Sequence, residues 1–163
     1  MHYLIDGYNL LFHLQHIEGT FQKRRQKIIE ILQKEIYKNK LSALLVFDGT
    51  DRKEDESEYY YFGPLEVVFT QKGQTADEFI IETVQFSKRP SQETVITSDK
   101  KLSKHCVCYG SHVLSVPNFL ALLDKKKKKG NLLQNEEVKD SPKNIKRLIQ
   151  IFEKRLKEED FNE

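Results

Sequence analysis

The stretch that decides the fold is Tyr3 to Phe12, YLIDGYNLLF, an apolar run that delivers a carboxylate and a carboxamide to its end and breaks at a glycine. Tyr3, Leu4 and Ile5 have the pattern of a short buried strand, and Gly7 is expected to release the backbone into a turn. Asp6 then stands at the carboxyl end of that strand. In open α/β sheets this is the edge where ligands bind.

The pattern recurs along the chain. Phe21, Ile28, Leu32 and Ile36 have helical spacing after Gly19-Thr20, which predicts a crossover helix with Arg24, Arg25, Lys27 and Lys34 on its surface. Leu41 to Phe47, LSALLVF, is a second buried run, and it too ends in an acid and a glycine, Asp48-Gly49. A charged loop leads to the aromatic cluster Tyr59 to Phe62, expected to form a strand or lip, and LEVVF (Leu65 to Phe69) is a third strand. Thr75 can cap a helix beginning TADEFIIETVQF, with Asp77 in its first turn and Phe79, Ile80, Val84 and Phe86 towards the core. ETVIT is a fourth strand running into Ser98-Asp99. A helix through Leu102 to Cys108, a strand at His112 to Val116 and a small helix after Pro117 follow. Strands alternating with helices predict right-handed parallel crossovers and an α/β three-layer sandwich with a mainly parallel central sheet over residues 1–124.

Residues 125–163 read as an appended segment. The lysine run Lys125 to Lys129 opens a polar linker, and Ser141-Pro142 starts a helix with Ile145, Leu148, Ile149, Phe152 and Leu156 at i, i+3, i+4 spacing. Such a stripe most often docks on its own domain, while its basic face offers a partner or RNA contact.

The 163 residues suit one globular unit, and a net charge of +2 does not by itself imply nucleic acid. No run approaches the roughly 20 apolar residues that span a bilayer, and the first residues lack a signal peptide's charged start and cleavage site, so the chain is expected to stay in the cytosol. Cys106 and Cys108 are too close in sequence for an ordinary bridge and lack partners at zinc spacing; reduced thiols are the simple reading.

Four aspartates occupy equivalent places: Asp6 after the first strand, Asp48 after the second, Asp77 at the helix after the third, and Asp99 after the fourth. Alone, each is a turn or cap residue. Parallel strands put all four on one edge, where they repel one another unless a cation intervenes, and oxygen-only ligation suits Mg²⁺ or Mn²⁺. A hard ion held by carboxylates lowers the pKa of bound water and neutralises charge on a phosphate, which is the chemistry of phosphodiester hydrolysis. Asn9, Thr97 and Ser98 can orient a carboxylate or donate to a phosphate. No G-x-x-x-x-G-K-S/T, G-x-G-x-x-G or G-x-S-x-G pattern occurs, and the five histidines show no metal-ligand spacing, so neither a nucleotide cofactor nor a serine nucleophile is expected.

Asp6-Gly7-Tyr8-Asn9, Phe47-Asp48-Gly49, Thr75-Ala76-Asp77 and Thr97-Ser98-Asp99 together resemble the successive motifs of the YacP-like NYN branch of the PIN-like nucleases, over residues 1–124. The resemblance implies a PIN-like sheet, Mg²⁺ or Mn²⁺, and endonucleolytic cleavage of RNA, for this branch messenger RNA in association with the ribosome. It also implies Asp6, Asp77 and Asp99 as metal-binding acids, with Asp48 as a further acid and Asn9 as the polar companion of the first.

An acidic cleft needs positive charge around it to hold RNA. The candidates are Arg24, Arg25, Lys72, Lys100 and Lys101, with Lys104 behind them; individually, such residues are more often solvated charges. Tyr8 and the cluster Tyr59 to Phe62 can stack unpaired bases or simply pack. Two rivals to a metal-dependent endoribonuclease stand beside it: a non-catalytic RNA- or ribosome-binding module of the same fold, and an enzyme acting on DNA or small phosphate esters.

Overall fold

The apolar runs pair side by side because each is flanked by helices that cover both of its faces. The computed structural model describes residues 1–14, 18–49, 55–125 and 142–160. The chain order is β1 (His2–Asp6), α1 (Gly7–His13), α2 (Phe21–Lys38), β2 (Ser42–Phe47), β3 (Glu58–Phe62), β4 (Leu65–Phe69), α3 (Ala76–Gln85), β5 (Glu93–Ile96), α4 (Lys100–Cys108), β6 (His112–Leu114), α5 (Val116–Lys125) and α6 (Pro142–Asp160). The six strands form one sheet in the order β3-β4-β2-β1-β5-β6, parallel except for the antiparallel edge pair β3–β4. This is the expected α/β sandwich.

Alternation along the strands builds two cores. Tyr3, Ile5, Leu45, Phe47 and Val67 face one layer with residues of α1, α2, α5 and α6, whereas Leu4, Leu44, Val46, Val68 and Val95 face α3 and α4. The C-terminal stripe joins the first core, with Ile145, Leu148, Ile149 and Phe152 all buried. Helix α6 is pinned further by Arg155, whose guanidinium reaches Glu35 of α2 at 3.3 Å and Asp124 of α5 at 2.6 Å. Lysines 126–129 and the rest of the expected linker lie outside the described residues. No described helix is long and apolar enough to cross a membrane.

Several expectations need correction. Gly7, expected to release the chain into a turn, instead opens helix α1, because Asp6 caps it; the short helix or turn that the apolar Leu10 to Ile17 suggests thus begins earlier and ends at His13, and residues 15–17 lie outside the described set. Phe86 is 78% exposed at the C-cap of α3, beyond the turn that faces the sheet. Phe21 begins α2 at the helix mouth and is half-exposed rather than in the core. The last strand stops at Leu114, since Val116 is already the first residue of α5. In the aromatic strand β3, Tyr60 meets Phe69 edge-on and Phe62 packs on the core, while Tyr59 and Tyr61 stack on each other. Cys106 is buried, which pushes its thiol up to about 11, and Cys108 is exposed; both are free.

Candidate active site

Strand order determines where ligand chemistry can occur. From β1 the chain builds outward through β2 and β4 on one side, then returns to place β5 on the other, so the connections diverge between β1 and β5. Such a switch point opens a crevice at the carboxyl ends of the strands. There a cavity of about 630 Å³ is lined by Asp6, Asp48, Asp77 and Asp99, together with Tyr8, Asn9, Phe12, Phe21, Arg24 and Thr75 among others. All four expected aspartates, from four distant segments, meet in it.

Two glycines let the elements close up at this edge. A Cβ on Gly7 would lie 2.6 Å from the Phe47 ring, and one on Gly49 only 1.5 Å from the Thr70 carbonyl oxygen. The Asp-Gly pairs read as turns are therefore sites of close backbone approach. Gly49 N–H also donates to Thr70 Oγ1 at 2.8 Å, which ties the end of β2 to the end of β4.

Helix capping positions two acids. Asp6 Oδ1 accepts the Asn9 backbone N–H at 3.2 Å as N-cap of α1, and Asp99 Oδ1 accepts the Leu102 N–H at 2.8 Å as N-cap of α4. Thr75 forms a capping box with Glu78, leaving Asp77 in the first turn of α3. Three helix N-termini thus aim at the cavity. Their dipoles favour negative charge, the role each acid has on its own.

The groups are also cross-linked. Thr97 Oγ1 donates to Asp6 Oδ2 at 3.3 Å and accepts the Asp99 N–H at 3.1 Å. Asn9 Oδ1 accepts the Ser98 N–H at 2.8 Å. The Asn9 and Thr97 side chains therefore orient the loop that carries Asp99, while Asn9 meets Asp6 through its backbone N–H.

Electrostatics show what the arrangement lacks. Burial pushes the Asp6 carboxyl up to about 6, with Asp77 and Asp99 adding repulsion against its capping hydrogen bonds. The Asp77 carboxyl is also raised, first by burial, then by Asp99 and Asp48, with Lys101 opposing. Among the described residues, no ion pair joins Asp6, Asp77 or Asp99 to a lysine or arginine. The donor set suits a hard cation, being all oxygen and acidic. As placed, no group of three of the described acids, histidines or cysteines is close enough to hold an ion jointly. Mg²⁺ typically takes one or two carboxylates directly and keeps several waters, so acids spaced in this way would reach such an ion in part through water.

Of the expected RNA contacts, Tyr8 and Arg24 line the cavity, while Arg25, Lys72, Lys100 and Lys101 do not. Arg25 lies over the Phe69 ring at 4.8 Å, with Phe47 and Phe21 nearby. Lys72, Lys100 and Lys101 are exposed, the last two in the first turn of α4 beside Asp99. Phe12 and Phe21 were missed by the sequence reading; four-residue spacing from Tyr8 was the available signal for Phe12.

A family model described as the YacP-like NYN domain matches residues 3–161. Two solved structures resemble the chain: a point mutant of Rae1 (YacP) from Bacillus subtilis, with TM-score 0.61, 23% identity and coverage of 78% of this chain and 76% of that one, and Rae1 (YacP) from Bacillus subtilis, with TM-score 0.54, 20% identity and coverage of 95% and 83%. At these identities the likeness is one of fold. No curated protein matches the chain. The family match extends past the region of the motifs and takes in α6, whose stripe completes the core. With a match over nearly its whole length, the chain belongs to the YacP-like NYN domain family, a nuclease-type, RNA-related domain.

Proposed function

We propose that the protein is a Mg²⁺- or Mn²⁺-dependent endoribonuclease of the cytosol that hydrolyses RNA phosphodiester bonds, with messenger RNA at the ribosome the substrate that the family resemblance implies. One observation carries this reading: Asp6, Asp48, Asp77 and Asp99 line one cavity at the switch point of the sheet. Asp6, Asp77 and Asp99 would hold the ion, directly or through its waters, and Asp48 would support it. When bound, the ion supplies charge neutralisation at the phosphate and an acidified water.

The protein's own groups do the rest. Asp6 is buried and held at both oxygens, by the Asn9 N–H and the Thr97 hydroxyl, so its orientation is fixed before substrate arrives. Asn9 and Thr97 hold the Ser98-Asp99 backbone in register with it. Arg24 offers a guanidinium to a phosphate entering the same cavity.

The test is to incubate RNA, single-stranded DNA and a phosphate monoester with the purified protein in Mn²⁺ or in chelator. Only RNA with Mn²⁺ is expected to be cut. Binding of RNA without cleavage, alone or on ribosomes, would favour the non-catalytic module; cleavage of DNA or the monoester would move the substrate class.

A further inference from the structure

Besides the acids, the cavity is lined by three aromatic rings, Tyr8, Phe12 and Phe21, and nothing in phosphodiester chemistry accounts for them. Tyr8 and Phe12 stand four residues apart on α1 and share a face. Phe21, the first residue of α2, stacks on Tyr8 with ring centroids 5.5 Å apart and an interplanar angle of 19°. Phe12 is different. It lines the same cavity yet is 67% exposed, and among the described residues its one ring contact is the edge of the adjacent His13 at 5.9 Å. Tyr37 and Phe86 are more exposed still, so exposure alone assigns no role; what sets Phe12 apart is that its open ring lines the cavity of the acids.

Arg24, in the first turn of α2, lines this cavity as well. Its Nε is buried and has no hydrogen-bond partner among the described residues. A buried donor left unmade is costly, and a guanidinium fork is shaped for the oxygens of a phosphate. An apolar ring, an unmade arginine donor and a set of acids suited to a cation thus border one space. Those are the three surfaces of a nucleotide site: base, phosphate and metal-bridged phosphate.

Resting on the ribonuclease reading above, we propose that Phe12 is the side chain that stacks an unpaired base next to the cleaved linkage while Arg24 pairs with the flanking phosphate. Phe12 is assigned the base because one face of Tyr8 is already covered by Phe21. A paired base presents no free face to the ring, which is why the stacked base must be unpaired. Stacking also tolerates any base, so this contact alone gives no sequence preference.

The test measures binding by fluorescence anisotropy in Ca²⁺ and cleavage in Mn²⁺, for wild type, Phe12→Ala and Arg24→Gln. The RNAs are a single strand of about 12 nucleotides, the same backbone without bases, and the strand in duplex. Phe12→Ala is expected to weaken single-strand binding about tenfold, with kcat changed by no more than about twofold; the base-free backbone should bind wild type and Phe12→Ala equally. Arg24→Gln should lower the slope of log affinity against log salt by about 0.7, whereas Phe12→Ala leaves it unchanged. Wild-type affinity in Phe12→Ala, an equal loss on the base-free backbone, or equal binding of duplex overturns the inference. If wild type cuts none of the RNAs but binding still depends on Phe12 in this way, the ribonuclease reading fails and the stacking site stands.

Discussion

Asn9 Oδ1 accepts the Ser98 backbone N–H at 2.8 Å, a bond that joins the first turn after β1 to the loop after β5 across 89 positions of sequence. It places the Asp99 loop relative to Asp6. Asn9→Ala is expected to cost about 1 kcal/mol of stability, the usual worth of such a bond. Amide exchange at Ser98 and Asp99 should accelerate, and cleavage should fall by about a hundredfold because small misplacements at a reacting centre are expensive. Unchanged exchange at both amides would contradict the positioning role.

Asp6 makes stability depend on pH in an unusual direction. Its folded carboxyl titrates at about 6 against an ordinary 3.8, so the folded state binds the proton more tightly than the unfolded one. Ionisation of Asp6 therefore destabilises the metal-free fold as pH rises from about 4 through 6, by about 3 kcal/mol once complete. Asp6→Asn should raise the Tm in chelator at pH 7, and the gain should vanish near pH 4. A variant less stable than wild type at pH 7 would show that capping, not charge, dominates.

The glycine after Asp48 has no room for a side chain. Gly49→Ala would set a Cβ 1.5 Å from the Thr70 carbonyl oxygen, so β2 and β4 must separate where Asp48 enters the cavity. Loss of about 3 kcal/mol, read by urea unfolding, is expected. A change below about 0.5 kcal/mol would mean that the strands part freely.

Arg155 should matter to stability more than its late position suggests. It answers Glu35, 3% exposed on α2, and Asp124 of α5. Arg155→Ala leaves Glu35 buried without its cation and should cost about 3–5 kcal/mol. Glu35→Met together with Arg155→Met should recover much of that loss; failure to recover would mean that the bridge is needed for more than its own neutralisation.

The legibility of the sequence divides along physical lines. The strands and long helices were readable because Tyr3-Leu4-Ile5, Leu44-Leu45-Val46 and the stripe from Ile145 to Phe152 carry their burial in their spacing. Three acids after strands and a fourth at the start of the helix after β4 could be gathered on one edge, because parallel strands bring their carboxyl ends together. Relations that depend on three dimensions were not readable. Arg24 and Arg25 are neighbours in sequence, yet one turns to the cavity and the other over Phe69. Glu35 and Arg155 lie 120 positions apart, and no local pattern announces that one buried charge awaits the other.

Metal and acids can be tested together. Mn²⁺ titrated calorimetrically into wild type, Asp77→Asn and Asp99→Asn, each shown folded by its unfolding transition, measures whether these side chains share an ion. Saturable binding by wild type, weakened at least about tenfold in both variants, is the result predicted for carboxylates holding one cation. Equal Mn²⁺ affinity in all three proteins would contradict it.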